Sequence, residues 1–122
     1  MKLHHLALRT ADPGSLARWY AALFELAVIR TQPGRSVWLG LDGGALMIER
    51  ADPAEPAVPP GSMEFFALRV TPAGRDAFLD RCAREGVPVE QRTGYTVYVR
   101  DPDGRRVGVS CFDAFPSTPV LE

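Results

Sequence analysis

A repeat constrains this chain more than any other feature. The segment His5-Leu6-Ala7-Leu8-Arg9-Thr10 returns 60 residues later (65 − 5 = 60) as Phe65-Phe66-Ala67-Leu68-Arg69-Val70. Each copy runs into a proline, Asp12-Pro13 in the first and Thr71-Pro72 in the second. Asp or Thr ahead of Pro reads as an N-cap followed by a first helical residue. The side-chain oxygen satisfies a free N–H, and the ring pre-sets φ. Self-similarity at a fixed offset means one supersecondary unit used twice, and units this small must share a core.

A helical stretch follows each proline. Leu16, Trp19, Tyr20, Leu23 and Phe24 recur at helical spacing and form one apolar stripe. Phe78, Leu79 and Cys82 form a shorter stripe in the second copy, with Arg75, Arg81 and Arg84 left to solvent. Gly86 supplies a left-handed C-cap there. Three short strands are predicted after each helix. They fall near Val28–Arg30, Ser36–Leu41 and Ala45–Glu49, then near Val87–Val89, Tyr95–Arg100 and Arg106–Phe112. The last two strands of each copy are joined by Asp42-Gly43 or by Asp101-Pro102-Asp103-Gly104, both hairpin signals. Each half therefore reads strand, helix, strand, strand, strand. Residues 1–50 and 63–113 are the two units. Residues 51–62 carry Pro53, Pro56, Pro59 and Pro60 and form a stiff extended linker.

Strand side chains alternate between faces. Leu6 and Leu8, Val37 and Leu39, and Leu46 and Ile48 give one aliphatic face in the first unit. Phe66 and Leu68, Val97 and Val99, and Val107 and Val109 give it in the second. These faces are expected under the two helices. The opposite face of the first unit carries His5, Arg9, Trp38, Met47 and Glu49. That of the second carries Phe65, Arg69, Tyr98, Arg100, Gly108 and Ser110. Aromatic planes beside a few polar groups are the composition of a small-molecule pocket. A dimer contact or a minor second core is the other reading of the same aromatics.

Composition excludes several classes. Fourteen Lys+Arg against fifteen Asp+Glu leave a net charge of −1, so nothing draws the chain to nucleic acid or an anionic membrane. Two cysteines in 122 residues cannot make a disulfide scaffold. No apolar run approaches the roughly 20 residues of a membrane span, and the start lacks the apolar stretch of a secretory signal. A cytoplasmic location is the expectation.

The segment His5 to Asp12, the following Trp19-Tyr20, and Val99-Arg100-Asp101-Pro102-Asp103-Gly104 resemble the vicinal oxygen chelate superfamily. That superfamily includes glyoxalase I, the bleomycin-resistance proteins and the extradiol dioxygenases. The resemblance covers nearly the whole chain. It implies an α+β fold of two βαβββ units that form a curved eight-stranded sheet around a cleft. It also implies a homodimer. Metal-dependent members hold a divalent ion with His or Glu on the first and fourth strands of each unit. Carried onto this chain, those positions are His5, Met47, Phe65 and Gly108, with Glu49 one alternate residue beyond Met47. Only His5 matches. Catalytic zinc, nickel or non-haem iron needs about three protein ligands, so no metal and no cofactor are expected. The family commonly has Leu-Gly after the first helix, where this chain has Phe24-Glu25-Leu26. A left-handed Glu25 would cost roughly 1 kcal/mol.

Taken singly, His5 can serve as residual ligand, general base or hydrogen-bond donor, or be a satisfied relic. His4 falls on the helix side by alternation, which gives it a structural role. Glu49 can act as a base or pair with Arg9 or Arg69, and the pair is the simpler reading. Arg9 and Arg69 suit a carboxylate or phosphate. Cys82 and Cys111 read as packing residues. The Asp101–Gly104 run lacks the further acids of a calcium loop and reads as a turn.

Three functions remain open. The chain binds a small organic ligand without chemistry. It is a metal-dependent isomerase, lyase or dioxygenase of the glyoxalase type. Or it is a metal-free enzyme that uses His5 and Glu49 as its acid and base.

Overall fold

The computed structural model describes residues 1–115. The first unit contains β1 (His5–Thr10), α1 (Pro13–Phe24), β2 (Val28–Gln32), β3 (Ser36–Leu41) and β4 (Gly44–Arg50). The second contains β5 (Phe65–Arg69), α2 (Pro72–Glu85), β6 (Gln91–Arg92), β7 (Thr96–Arg100) and β8 (Arg106–Ser110). The eight strands form two separately hydrogen-bonded four-stranded sheets, in the orders β1-β4-β3-β2 and β5-β8-β7-β6. In each sheet the first and fourth strands pair in parallel and the other neighbours antiparallel.

The capping chemistry is as the sequence predicts. Asp12 accepts from the Ser15 N–H at 3.1 Å, and Thr71 from the Gly74 N–H at 3.0 Å. Pro13 and Pro72 open the helices. At the far ends both chains turn left-handed, α2 through Gly86 and α1 through Glu25, with φ 53° and ψ 48°. Glu25 thus carries the strain that glycine would have avoided.

The core lies between helices and sheets and runs through both units. Leu16, Ala17, Tyr20, Leu23 and Phe24 of α1 are buried, over β3 and β4. α2 buries only Phe78 and Cys82, against β7 and β8. The aliphatic strand positions Leu39, Leu46, Ile48, Val97, Val99, Val107 and Val109 complete the core. Phe24 meets Phe78 at 5.0 Å between ring centroids, joining the two helices. The Arg81 side chain closes the same junction by donating to the Leu23 carbonyl at 2.8 Å.

A buried polar knot also ties the units together. The Tyr20 hydroxyl donates to Asp101 at 2.6 Å, and Arg105 pairs with the same carboxylate at 3.1 Å. The Asp103 and Arg105 backbone N–H groups donate to its other oxygen. Arg105 reaches on to the Arg9 carbonyl in β1. The Asp101–Gly104 run is thus a turn whose first carboxylate is fully occupied. Burial and the Asp101 carboxylate push the Tyr20 hydroxyl pKa far up, so it stays a donor.

Three expectations need correction. The strand expected near Val87–Val89 forms instead at Gln91–Arg92. Pro88 has no N–H, the Val87 N–H closes the helix end on Cys82, and pairing starts only with Glu90 N–H to the Tyr98 carbonyl. The last strand stops at Ser110 rather than Phe112. His4 does not face a helix. It lies exposed just ahead of β1, its Nδ1 2.8 Å from that of His5.

Candidate functional site

The register shows how far the two units are equivalent. Ala7 stands opposite Met47, and Met47 opposite Trp38. Ala67 stands opposite Gly108, and Gly108 opposite Tyr98. His5 therefore matches Phe65, Trp38 matches Tyr98, Met47 matches Gly108, and Glu49 matches Ser110. Both sets lie on the sheet faces turned away from the helices.

On the first unit's face, His5 leans on Trp38, with ring centroids 5.2 Å apart. Met47 is buried beside Trp38. The Trp38 indole N–H is buried and meets no acceptor among the described residues. Glu49 sits four residues further along β4 than Ala45, the partner of His5. That spacing is roughly 13 Å at strand rise. Glu49 pairs with Arg9, which also holds Glu55 of the linker at 2.6 Å. Arg9 thereby lowers the Glu55 pKa, and Glu55 and Glu49 raise that of Arg9. His5 and Glu49 are at opposite ends of the face, and Glu49 is occupied by its arginine. The acid–base pair has no geometric support.

On the second unit's face, Phe65 and Tyr98 touch at 4.4 Å between centroids. Arg106 lies 4.0 Å over the Tyr98 ring and is held by Glu90 at 2.9 Å and by the Gln91 side chain at 2.7 Å. Arg100 also pairs with Glu90 and donates to the Ser62 carbonyl at 2.6 Å. Together they hold the Glu90 pKa below the carboxylate range, Arg100 most strongly. Ser110 shares a hydrogen bond with Thr96. Arg69 does not join Arg9; it stacks 4.9 Å from the Phe115 ring. Sequence reasoning missed Arg106. Its parity with Gly108 and Ser110 on one strand was the available signal.

A cavity of about 360 Å³ opens beneath the linker, lined by Leu6, Leu8, Val58, Pro59, Phe65 and Phe66. Trp38 and Tyr98 are not among its lining residues.

The donor set does not fit a divalent ion. Of the four family positions, His5 offers one nitrogen, Met47 a thioether, Phe65 and Gly108 nothing. No group of three His, Cys, Asp or Glu suitable for a metal occurs among the described residues. Gly108 cannot be refilled cheaply either. A Cβ there would fall inside the van der Waals shell of the Val97 carbonyl oxygen.

Two βαβββ units, each with a polar-aromatic sheet face, define a class of paired-module proteins. Residues 2–109 match the Glyoxalase/Bleomycin resistance protein/Dioxygenase superfamily, and the chain belongs to that family. Among solved structures, it resembles a lactoylglutathione lyase from Agrobacterium tumefaciens. The identity is 27% over 88% of this chain and 90% of that one, with a TM-score of 0.70. A possible glyoxalase from Bacillus cereus is 23% identical over 91% and 99%, with a TM-score of 0.74. A fosfomycin resistance protein, FosX, from Listeria monocytogenes shares the fold at 15% identity over 93% and 92%, with a TM-score of 0.77. Comparison with curated proteins finds no match. No helix among the described residues is long and apolar enough to cross a membrane.

Proposed function

We propose that this protein binds a small organic ligand between its sheet faces and does so without a catalytic divalent metal. One observation carries the reading. The positions that hold metal in metal-dependent relatives carry Met47, Phe65 and Gly108, while aromatic planes occupy the same faces. Trp38 beside His5 and Tyr98 beside Phe65 offer stacking area on both units. The buried Trp38 N–H without a partner favours a ligand that brings a hydrogen-bond acceptor.

The ligand-bearing form is a homodimer. Trp38 and Tyr98 are half-buried, the cavity under the linker reaches neither, and β2 lies exposed along all five residues as a free edge. Light scattering that finds only monomer at micromolar concentration would remove this part. We place the protein in the cytoplasm, in keeping with its two free cysteines.

The test is elemental analysis combined with a binding screen of aromatic carboxylates and amides. The protein should purify without stoichiometric zinc, nickel or iron, and its melting temperature should ignore chelators. Binding should fall further in Trp38→Ala or Tyr98→Ala than in His5→Ala. One divalent metal per chain, lost together with activity in His5→Ala, would restore a glyoxalase-type enzyme instead.

A further inference from the structure

The first unit holds nitrogen and sulfur donors whose lone pairs the ligand reading does not use. His4 and His5 bring their Nδ1 atoms to 2.8 Å, with the rings edge to face at 5.0 Å. Two such nitrogens attract only while one carries the proton and the other the lone pair. His4 is not a loose terminal residue. Its carbonyl accepts the Ala45 N–H at 3.1 Å, and the Leu3–His4 backbone lies directly over Gly44, where a Cβ would come within 3.1 Å of the His4 oxygen. Met47 lies two residues along β4 from Ala45, the partner of His5, so it is a diagonal neighbour. Trp38 faces both, in contact with the His5 ring and directly opposite Met47.

We propose that His4 and His5, with Met47 as third donor and Trp38 alongside, form a site for a soft monovalent cation, copper(I). Imidazole and thioether together select Cu(I) over harder ions. Zinc would want further anionic or nitrogen donors that this face lacks. Two nitrogens each about 2 Å from an ion that also takes a third donor stand roughly 3.5 Å apart. The present pair reaches that separation by rotation of two exposed imidazoles, a fast motion. The proton on one Nδ1 is exchanged through solvent for one on the Nε2 of the same ring, so both imidazoles stay neutral as the ion takes both Nδ1 lone pairs. The Trp38 ring adds the attraction of a π-face for a cation. Cys82 is no competitor, since it is buried and its thiol is pushed up to about 11 by that burial. The half-buried Cys111 lies in the other unit, just past β8.

The proposal does not rest on the organic ligand, and either can fail without the other. The experiment is anaerobic titration of the intact protein with Cu(I) against a chromophoric copper chelator, followed by tryptophan fluorescence. One ion per chain is expected, with quenching that Trp38→Phe abolishes while the ion is still bound. His4→Ala changes an exposed side chain and Met47→Leu keeps core volume, so both should stay folded. Each should weaken Cu(I) binding by roughly tenfold or more, and Cys111→Ser should leave it unchanged. Affinity unmoved by His4→Ala or by Met47→Leu would overturn the site. So would loss of binding in Cys111→Ser, or zinc held as tightly as copper(I).

Discussion

The two units share one blueprint and differ most on the faces turned away from the core. Where the first has His5, Trp38 and Met47, the second has Phe65, Tyr98 and Gly108. Their ion pairs are also opposite in sense. In the first, one arginine, Arg9, gathers Glu49 and Glu55, with Asp52 further off at 4.0 Å. In the second, one acid, Glu90, holds two arginines, Arg100 and Arg106. Beneath the faces the aliphatic positions stay matched. Duplication thus fixes what the core needs and leaves the outer face free to change. The first unit's face carries donors, while the second's is an aromatic floor under a cation.

The comparison breaks most severely if the units come apart. Asp101→Ala removes a side chain with no exposed surface that satisfies Arg105, the Tyr20 hydroxyl and two backbone N–H groups. Stranding those partners should cost about 3–5 kcal/mol. Urea denaturation should show one cooperative transition moved to lower midpoint. Two separated transitions would mean that this knot is what makes the units a single body. A midpoint shift under about 1 kcal/mol would show that the helix contact Phe24–Phe78 holds them without it.

Placing a carboxylate at Gly108 tests whether the second unit's face can take a donor. Gly108→Glu must push its Cβ into the Val97 carbonyl, so β7 and β8 have to separate locally. Overpacking of this kind costs roughly 1–3 kcal/mol. The variant should be less stable and should still bind no stoichiometric divalent metal. A stable Gly108→Glu protein that takes up zinc would show the site to be one substitution from recovery.

The helix ends make a milder comparison. Both turn left-handed, one through Glu25 and the other through Gly86. Gly86→Ala should destabilise by about 1 kcal/mol. Glu25→Gly should stabilise by a few tenths of a kcal/mol. The relief of strain is partly offset by a freer unfolded chain and by the loss of the pair between the exposed Glu25 carboxylate and Arg81. Thermal melts of the two variants should move in opposite directions.

How much of this was legible in the sequence follows from where the information is local. The caps, the helix stripes and the turns depend on a few neighbouring residues, and Asp12, Thr71, Gly86 and even the strained Glu25 could be read directly. The face assignment needed only strand parity. The β6 shift from Val87–Val89 to Gln91–Arg92 needed knowledge of which N–H groups the helix end consumes. The His4–His5 contact needed the exact residue where β1 begins, because one residue decides whether alternation applies. Strand parity made the Arg9–Glu49 pair legible, but not the second partner of Arg9 or the partner of Arg69. Glu55 and Phe115 meet them across 46 residues each, and no spacing rule connects such positions.

The smallest effect concerns the opposed charge clasps. Glu55 and Glu90 both have lowered pKa values, the first through Arg9, the second through Arg100 and then Arg106. A carboxylate whose folded pKa is depressed gives stability that is fully present above its unfolded value. That stability is lost as pH falls through the folded value. Both clasps should therefore be intact near neutrality and open only below the ordinary carboxylate range. Their opening has different consequences. Protonating Glu55 loosens the linker around Glu55, while Asp52 and the Ala51 N–H still tie its start to β1. Protonating Glu90 leaves Arg100 and Arg106 side by side without their shared acid, so the cation over Tyr98 should shift. These are solvent-facing groups, so global stability should hardly move. Carbon-detected NMR of the two carboxyls should show both titrating below a free glutamate. Linker amides should follow Glu55, and the Tyr98 ring protons should follow Glu90. If the Tyr98 ring ignores Glu90, the second unit's cation is held by stacking alone, and the symmetry of the clasps has no bearing on the faces.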